Sequence, residues 1–111
     1  MTFKRLYNMT GNDPALNRRI ASIFLSELDA FRKKLEVFST DGVRDTIQLV
    51  LFKLSPSFII FEKDHLLKKI EGYINSAEEN ESKEERMNTY TSIQNDLNEV
   101  SNELKQFLSA L

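Results

Sequence analysis

The sequence contains no cysteine, which excludes disulfide bonds, thiolate metal ligands and thiol catalysis. It contains one histidine, His65, so neither a Ser-His-Asp nor a Cys-His catalytic set can be argued. No glycine-rich phosphate-binding loop is present either. These absences predict a protein that is not an enzyme and that needs no cofactor.

Long apolar runs are also missing. The longest, residues 49–52 and 58–61, are far too short to cross a bilayer, and the N-terminus lacks the apolar core of a signal peptide. The formal net charge is −2, whereas nucleic-acid binding usually requires a clustered basic face. We therefore expect a soluble cytoplasmic protein that binds neither membrane nor nucleic acid.

Glycine and proline are scarce, with three and two residues, so the chain has few places to turn. A length of 111 residues fits one domain, 1–111, built from a few long elements. Residues 3–9 predict a short helical segment. Asp13 is a suitable N-cap and Pro14 a suitable first residue for a long helix over about 14–38. Its predicted inward stripe is Leu16, Ile20, Phe24, Leu28, Phe31, Leu35 and Phe38.

After a turn at 39–42, a third segment runs from Val43 to about 61. Its stripe is Val43, Ile47, Val50, Leu54, Phe58 and Phe61, with further apolar residues on other sides. Pro56 lies inside this segment and is expected to kink the helix or end it. A helix that is apolar nearly all round is either deeply buried or carries a docking patch.

Two more helices follow. One covers about 63–75, with Leu66, Leu67, Ile70, Tyr73 and Ile74 inward. Residues 76–85 predict a solvated acidic loop containing Glu78, Glu79, Glu81, Glu84 and Glu85, and Ser82 with Glu85 fits a capping box. The last helix has Met87, Tyr90, Ile93, Leu97, Val100, Leu104, Phe107 or Leu108, and Leu111 inward. The pattern predicts an all-α fold, an antiparallel four-helix bundle with a short extra N-terminal helical segment.

Several segments together resemble the histidine phosphotransfer (HPt) family. They are LYNMTGND at 6–13, Phe24 in the middle of the long helix, the turn at 39–42, and LFKLSP at 51–56. The resemblance covers nearly the whole chain, and LFKLSP is similar to family variants that read A-H-K-L-x-P. It places Leu54, Ile47, Phe61 and Leu66 on core positions, and Pro56 where glycine is usual. In this register, Phe52 occupies the position of the phosphorylated histidine.

The resemblance implies docking without phosphotransfer. In the family a phosphoryl group passes between a receiver-domain aspartate and an imidazole nitrogen, and a phenyl ring has no lone pair to accept it. Ser55 stands where a lysine is usual. Lys53 either pairs with an acidic receiver pocket or is an ordinary solvated lysine. The expected partner is a response-regulator receiver domain or a hybrid histidine kinase.

The expected docking surface is the outward side of the third segment. It comprises Leu49, Phe52, Lys53, Ser55, Pro56 and Ile59. Two alternatives stay open: Phe52 belongs to the core of a bundle with a slightly different register, or the family assignment is wrong. A further hypothesis is a helical interaction module that forms a homodimer or docks to an unrelated protein, so we expect a monomer or a weak dimer.

His65 is the alternative phosphoacceptor because residues 65–68 read H-x-L-K. Lys69 and Ile70 follow where the family keeps small residues, so an ordinary solvated histidine near a helix start is the simpler interpretation. Glu62 and His65 also match E-x-x-H, the motif of di-iron bundles. Such a site needs a second motif of this kind, which a single histidine excludes, and we expect no metal.

Overall fold

A computed structural model describes residues 2–76 and 82–111. In these ranges the chain is all-helical and contains no strand. The helices are α1 (Lys4–Thr10), α2 (Pro14–Asp41), α3 (Arg44–Ile60), α4 (Asp64–Asn75) and α5 (Lys83–Ala110). Residues 77–81 of the predicted acidic loop, which include Glu78, Glu79 and Glu81, lie outside the described residues.

The N-terminal end of α2 follows the predicted chemistry, whereas the turn predicted at 39–42 is wrong for residues 39–41, which are helical. The side chain of Asp13 accepts hydrogen bonds from the backbone N–H groups of Ala15 (2.9 Å) and Leu16 (3.4 Å). Gly42 ends the helix with a φ of 68°, and its N–H donates to the carbonyl of Phe38 at 2.8 Å. A residue with no Cβ adopts this left-handed conformation without steric cost, so α2 continues three residues past the predicted end.

Pro56 does not end α3, which continues to Ile60. Proline has no N–H, so the carbonyl of Phe52 lacks its usual helical donor. The hydroxyl of Ser55 donates to that carbonyl at 2.8 Å and supplies a partner for it. Of the two outcomes expected at Pro56, an end of the helix is therefore wrong.

The turn between α3 and α4 is a tight C-terminal cap. The N–H of Lys63 donates to the carbonyl of Phe58 at 2.7 Å, and that of Glu62 donates to the carbonyl of Ile59 at 3.0 Å. This pair of bonds forms a Schellman motif, which requires a left-handed residue. Glu62 takes that conformation, with a φ of 58°. The turn reverses the chain within three residues.

The helices pack against one another around one core. α2 packs against α3 and α5, α4 packs against α3 and α5, and α1 packs against α2. The ring of Phe24 lies 5.4 Å from that of Phe58 and 5.1 Å from that of Phe61, between centroids. The inward set predicted for α4 is confirmed, because Leu66, Leu67, Ile70, Tyr73 and Ile74 are all buried.

The predicted stripes are wrong near helix ends. Leu16, Val43, Met87 and Leu111 were expected inward, but all four side chains are exposed. Each lies at or near the end of a helix, where the stripe extends past the neighbour that would cover it. Conversely, Leu6 of α1 is fully buried, because α1 folds back onto α2.

None of the five helices combines the length and the apolar composition that a bilayer crossing needs within the described residues.

Candidate functional site

The solvent-facing side of α3 is unusually apolar. Phe52 is 76% exposed, the largest exposed fraction of any large apolar side chain in the described part of the chain. Leu49 is 55% and Ile59 45% exposed, and Pro56 is also exposed. Spacings of three and four residues place these four side chains on one side of a helix. We call them the outer face of α3. Because Phe52 projects into solvent, the alternative that it belongs to the core is wrong.

The two polar residues of the expected docking surface have different roles. Lys53 is exposed, and no carboxylate of the described residues forms an ion pair with it. Its ammonium group is therefore available to an acidic partner. Ser55 is half-buried, and its hydroxyl is occupied by the carbonyl of Phe52. Ser55 thus supports the backbone that carries the aromatic ring.

A groove between α3 and α4 adjoins Phe52, and sequence reasoning did not find it. Its lining comprises Gln48, Leu51, Phe52, Ser55, Glu71, Ile74 and Asn75. Buried Leu51 and Ile74 form an apolar floor. The side-chain amide of Gln48 donates to the side-chain oxygen of Asn75 at 2.9 Å, across the groove. This pairing of residues from separate helices has no signal in the period of either helix.

His65 lies elsewhere. It is exposed in the first turn of α4, in a depression between α4 and α5 that Asp96, Glu99 and Glu103 also line. Phe52 instead lines a groove with Ile74, which follows His65 by a rise of roughly 13 Å along the helix. The structure therefore does not bring the two candidate phosphoacceptor positions together.

The two lysines that line this depression with His65, Lys63 and Lys69, are engaged by carboxylates. The ammonium of Lys69 lies 2.7 Å from Asp96 and 2.6 Å from the hydroxyl of Ser92, and that of Lys63 lies 3.4 Å from Glu103. A phosphoryl group on His65 would enter an acidic surrounding, which opposes its charge. No group of three histidine or acidic side chains is placed to hold a metal ion within the described ranges.

The N-terminal segment is bound to the α3–α4 turn, at one end of the outer face. One guanidinium nitrogen of Arg5 donates to the carbonyl of Ile59 at 2.9 Å and to the carboxylate of Asp64 at 2.6 Å. The hydroxyl of Thr2 donates to the carboxylate of Glu62 at 2.6 Å. The hydrogen bond from Arg5 lowers the pKa of Asp64, and that from Thr2 lowers the pKa of Glu62. No sequence motif predicted these contacts.

No family model, curated protein or solved structure matches this chain. The resemblance to histidine phosphotransfer domains rests on the residues quoted above and stays a prediction.

Proposed function

We propose that this chain is a pseudo-phosphotransfer protein. It binds a response-regulator receiver domain, or a hybrid histidine kinase that carries one, and transfers no phosphate. The observation that carries the proposal is the exposure of Phe52, at the position where the resemblance expects the phosphorylated histidine. The proposal places the chain in the cytoplasm with its partner.

The proposal also describes the fold as an antiparallel four-helix bundle with a short extra N-terminal helix. The contacts of α2 with α3, α3 with α4, α4 with α5 and α5 with α2 make a closed cycle, and this cycle supports a four-helix bundle. Short turns connect α2 to α3 and α3 to α4, and short turns favour antiparallel neighbours. The position of α1 against α2 agrees with the extra N-terminal segment expected beside such a bundle.

The chemistry of position 52 favours docking over transfer. A phenyl ring cannot attack phosphorus or hold a phosphoramidate, so a receiver bound here cannot pass its phosphoryl group to position 52. An exposed aromatic ring with aliphatic neighbours is, however, typical of the centre of a protein interface. Lys53 adds a positive charge at the rim, which complements an acidic receiver pocket. The mechanism is occupancy: the bundle covers the aspartate face of the receiver and competes with a genuine phosphotransfer protein.

Titration calorimetry with purified receiver domains from the organism that encodes the chain tests the proposal. We expect one or a few receivers to bind in the micromolar range typical of transient signalling contacts, on the order of 1–100 μM. Phe52→Asp should weaken this binding at least tenfold or so, because a carboxylate replaces the central apolar contact. Met87→Asp is the matched control, since it places the same charge at an exposed apolar side chain on α5.

A second measurement separates occupancy from transfer. In a reconstituted relay of kinase, receiver and genuine phosphotransfer protein, the chain should slow transfer without acquiring radiolabelled phosphate. Equal binding by the wild type and Phe52→Asp, or no binding to any receiver, would overturn the proposal.

Two alternatives give different results in the same experiments. If His65 is a phosphoacceptor, the chain acquires an acid-labile label that His65→Gln removes and Phe52→Ala does not. If the outer face of α3 is a dimer interface, light scattering reports a dimer that Phe52→Asp dissociates.

A further inference from the structure

A second groove lies on the other side of α3, against α2. It runs between the C-terminal part of α2 and the N-terminal part of α3, and we call it the α2–α3 groove. Its lining comprises Lys33, Lys34, Val37, Phe38, Val43, Thr46 and Ile47. Val37 and Val43 expose 56% and 59% of their surface on its walls, and the buried Phe38 and Ile47 lie beneath them.

The rim of the α2–α3 groove is positively charged. Lys33 and Lys34 are both exposed, and neither forms an ion pair within the described residues. No carboxylate occurs among the described side chains that line the groove. The surface between α4 and α5 differs, because its lysines, Lys63 and Lys69, are paired with carboxylates of α5. The cations beside the α2–α3 groove are thus available to an external anion.

We infer that the α2–α3 groove binds an acidic amphipathic helix of a partner protein. The partner's apolar stripe would lie between Val37 and Val43, and its glutamate or aspartate side chains would pair with Lys33 and Lys34. A helix suits the groove better than an extended segment does. The backbone N–H and C=O groups of α2 and α3 are hydrogen-bonded within their own helices, so they offer no partners to an extended peptide. A helical peptide needs none, because it satisfies its own backbone groups.

This inference is independent of receiver docking. The outer face of α3 carries Leu49, Phe52 and Ile59, whereas Val43, Thr46 and Ile47 of the same helix face α2. Two ligands could therefore occupy the two surfaces separately, and variants of one surface serve as controls for the other.

Fluorescence anisotropy with a designed peptide tests the inference. The probe is a labelled helix-forming peptide of about 14 residues, roughly four turns, with leucines on one side and glutamates beside them. A second peptide has lysine at every glutamate position, and a third has the first composition in scrambled order. We expect the wild type to bind the glutamate peptide at least about tenfold more tightly than either of the others.

Variants assign that binding to the groove. Lys33→Glu with Lys34→Glu should weaken it about tenfold or more, and Val37→Ser with Val43→Ser should do the same. Arg19→Glu with Lys105→Glu makes the same change in net charge at exposed positions elsewhere and should leave binding unchanged. Phe52→Asp should also leave it unchanged, which separates this result from any failure of receiver docking.

Three results would overturn the inference. They are equal affinity for the glutamate and lysine peptides, no effect of the paired lysine reversals, and self-association of the wild type that those reversals abolish. The last would mean that a second copy of this chain occupies the groove.

Discussion

The two sides of α3 are both apolar, but they have opposite surroundings. Leu51, Leu54 and Phe58 point inward and are buried, whereas Leu49, Phe52 and Ile59 point outward and are exposed. Burial of the inward residues stabilises the fold, because it removes apolar surface from water. The outward residues gain no such energy within this chain. Under the docking proposal, their apolar character serves contact with another molecule.

The strongest test of this contrast is Phe58→Ala. The ring of Phe58 is fully buried against that of Phe24, so its removal leaves a cavity. We expect the free energy of unfolding to fall by about 3–5 kcal/mol. Urea denaturation followed by circular dichroism measures the change. Phe58→Leu, which keeps an apolar side chain, should lose less, and a loss below about 1 kcal/mol for Phe58→Ala would contradict the assignment of Phe58 to the core.

Pro56→Ala tests whether Pro56 lowers the stability of α3 and contributes to docking instead. Alanine restores an N–H that can donate to the carbonyl of Phe52, and it removes the clash of the ring with the preceding turn. We expect the variant to be more stable by about 1–3 kcal/mol, measured by the same denaturation. If Pro56 contributes only to docking, receiver binding weakens while stability rises. A loss of stability would instead mean that the proline fits the local backbone.

Ser55→Ala tests how the carbonyl of Phe52 is satisfied beside Pro56, and its expected effect on stability is smaller. The variant leaves the carbonyl of Phe52 without the hydroxyl that now donates to it. We expect a loss of about 1 kcal/mol in the wild-type background. In the Pro56→Ala background the loss should shrink, because the new N–H at position 56 serves the same carbonyl. Additive effects in this double-mutant cycle would show that the two groups do not share that carbonyl.

Low pH should weaken the contact between the N-terminal segment and the α3–α4 turn. The two carboxyl groups that bind the N-terminal segment are Glu62, which accepts from Thr2, and Asp64, which accepts from Arg5. Both have a pKa below their ordinary values of 4.5 and 3.8. A lowered pKa means that the stabilisation is complete above the ordinary value and is lost as the pH falls through the folded-state value. We therefore expect the urea concentration at the midpoint of unfolding to decrease when the pH is lowered below about 4. The decrease should be smaller in Arg5→Ala. Identical pH profiles for the two proteins would argue against this contact.

Phe52→Ala should have the smallest effect on stability. The ring makes few contacts within the chain, so we expect a change no larger than about 0.5 kcal/mol. Phe52→Ala and Phe58→Ala make the same change six residues apart on one helix. Their comparison then separates the side of α3 that stabilises the fold from the side that we propose for docking. A loss comparable to that of Phe58→Ala would remove the basis for a docking surface.

The sequence predicted most of the helical fold because the period of apolar residues is a local property. Phe24 and Leu28, or Ile70 and Tyr73, are inward because each lies on the apolar side of its own helix. The exposure of Val43 could not be read in this way, since it depends on where the neighbouring helix ends. The outward direction of Phe52 was expected from the family resemblance, whereas the pairing of Gln48 with Asn75 depends on contacts between helices. The bond from Ser55 to the carbonyl of Phe52 likewise required coordinates.

The exposure of Phe52 has a practical consequence for anyone who wishes to watch this protein bind. Since the chain has no cysteine, a Glu71→Cys variant would carry a single thiol at an exposed position of the groove beside Phe52, and the ring itself would stay in place. A maleimide dye or nitroxide would attach there without entering the interior. Its emission or spectral line shape would then report, at one known point of the surface, the moment at which another molecule covers it.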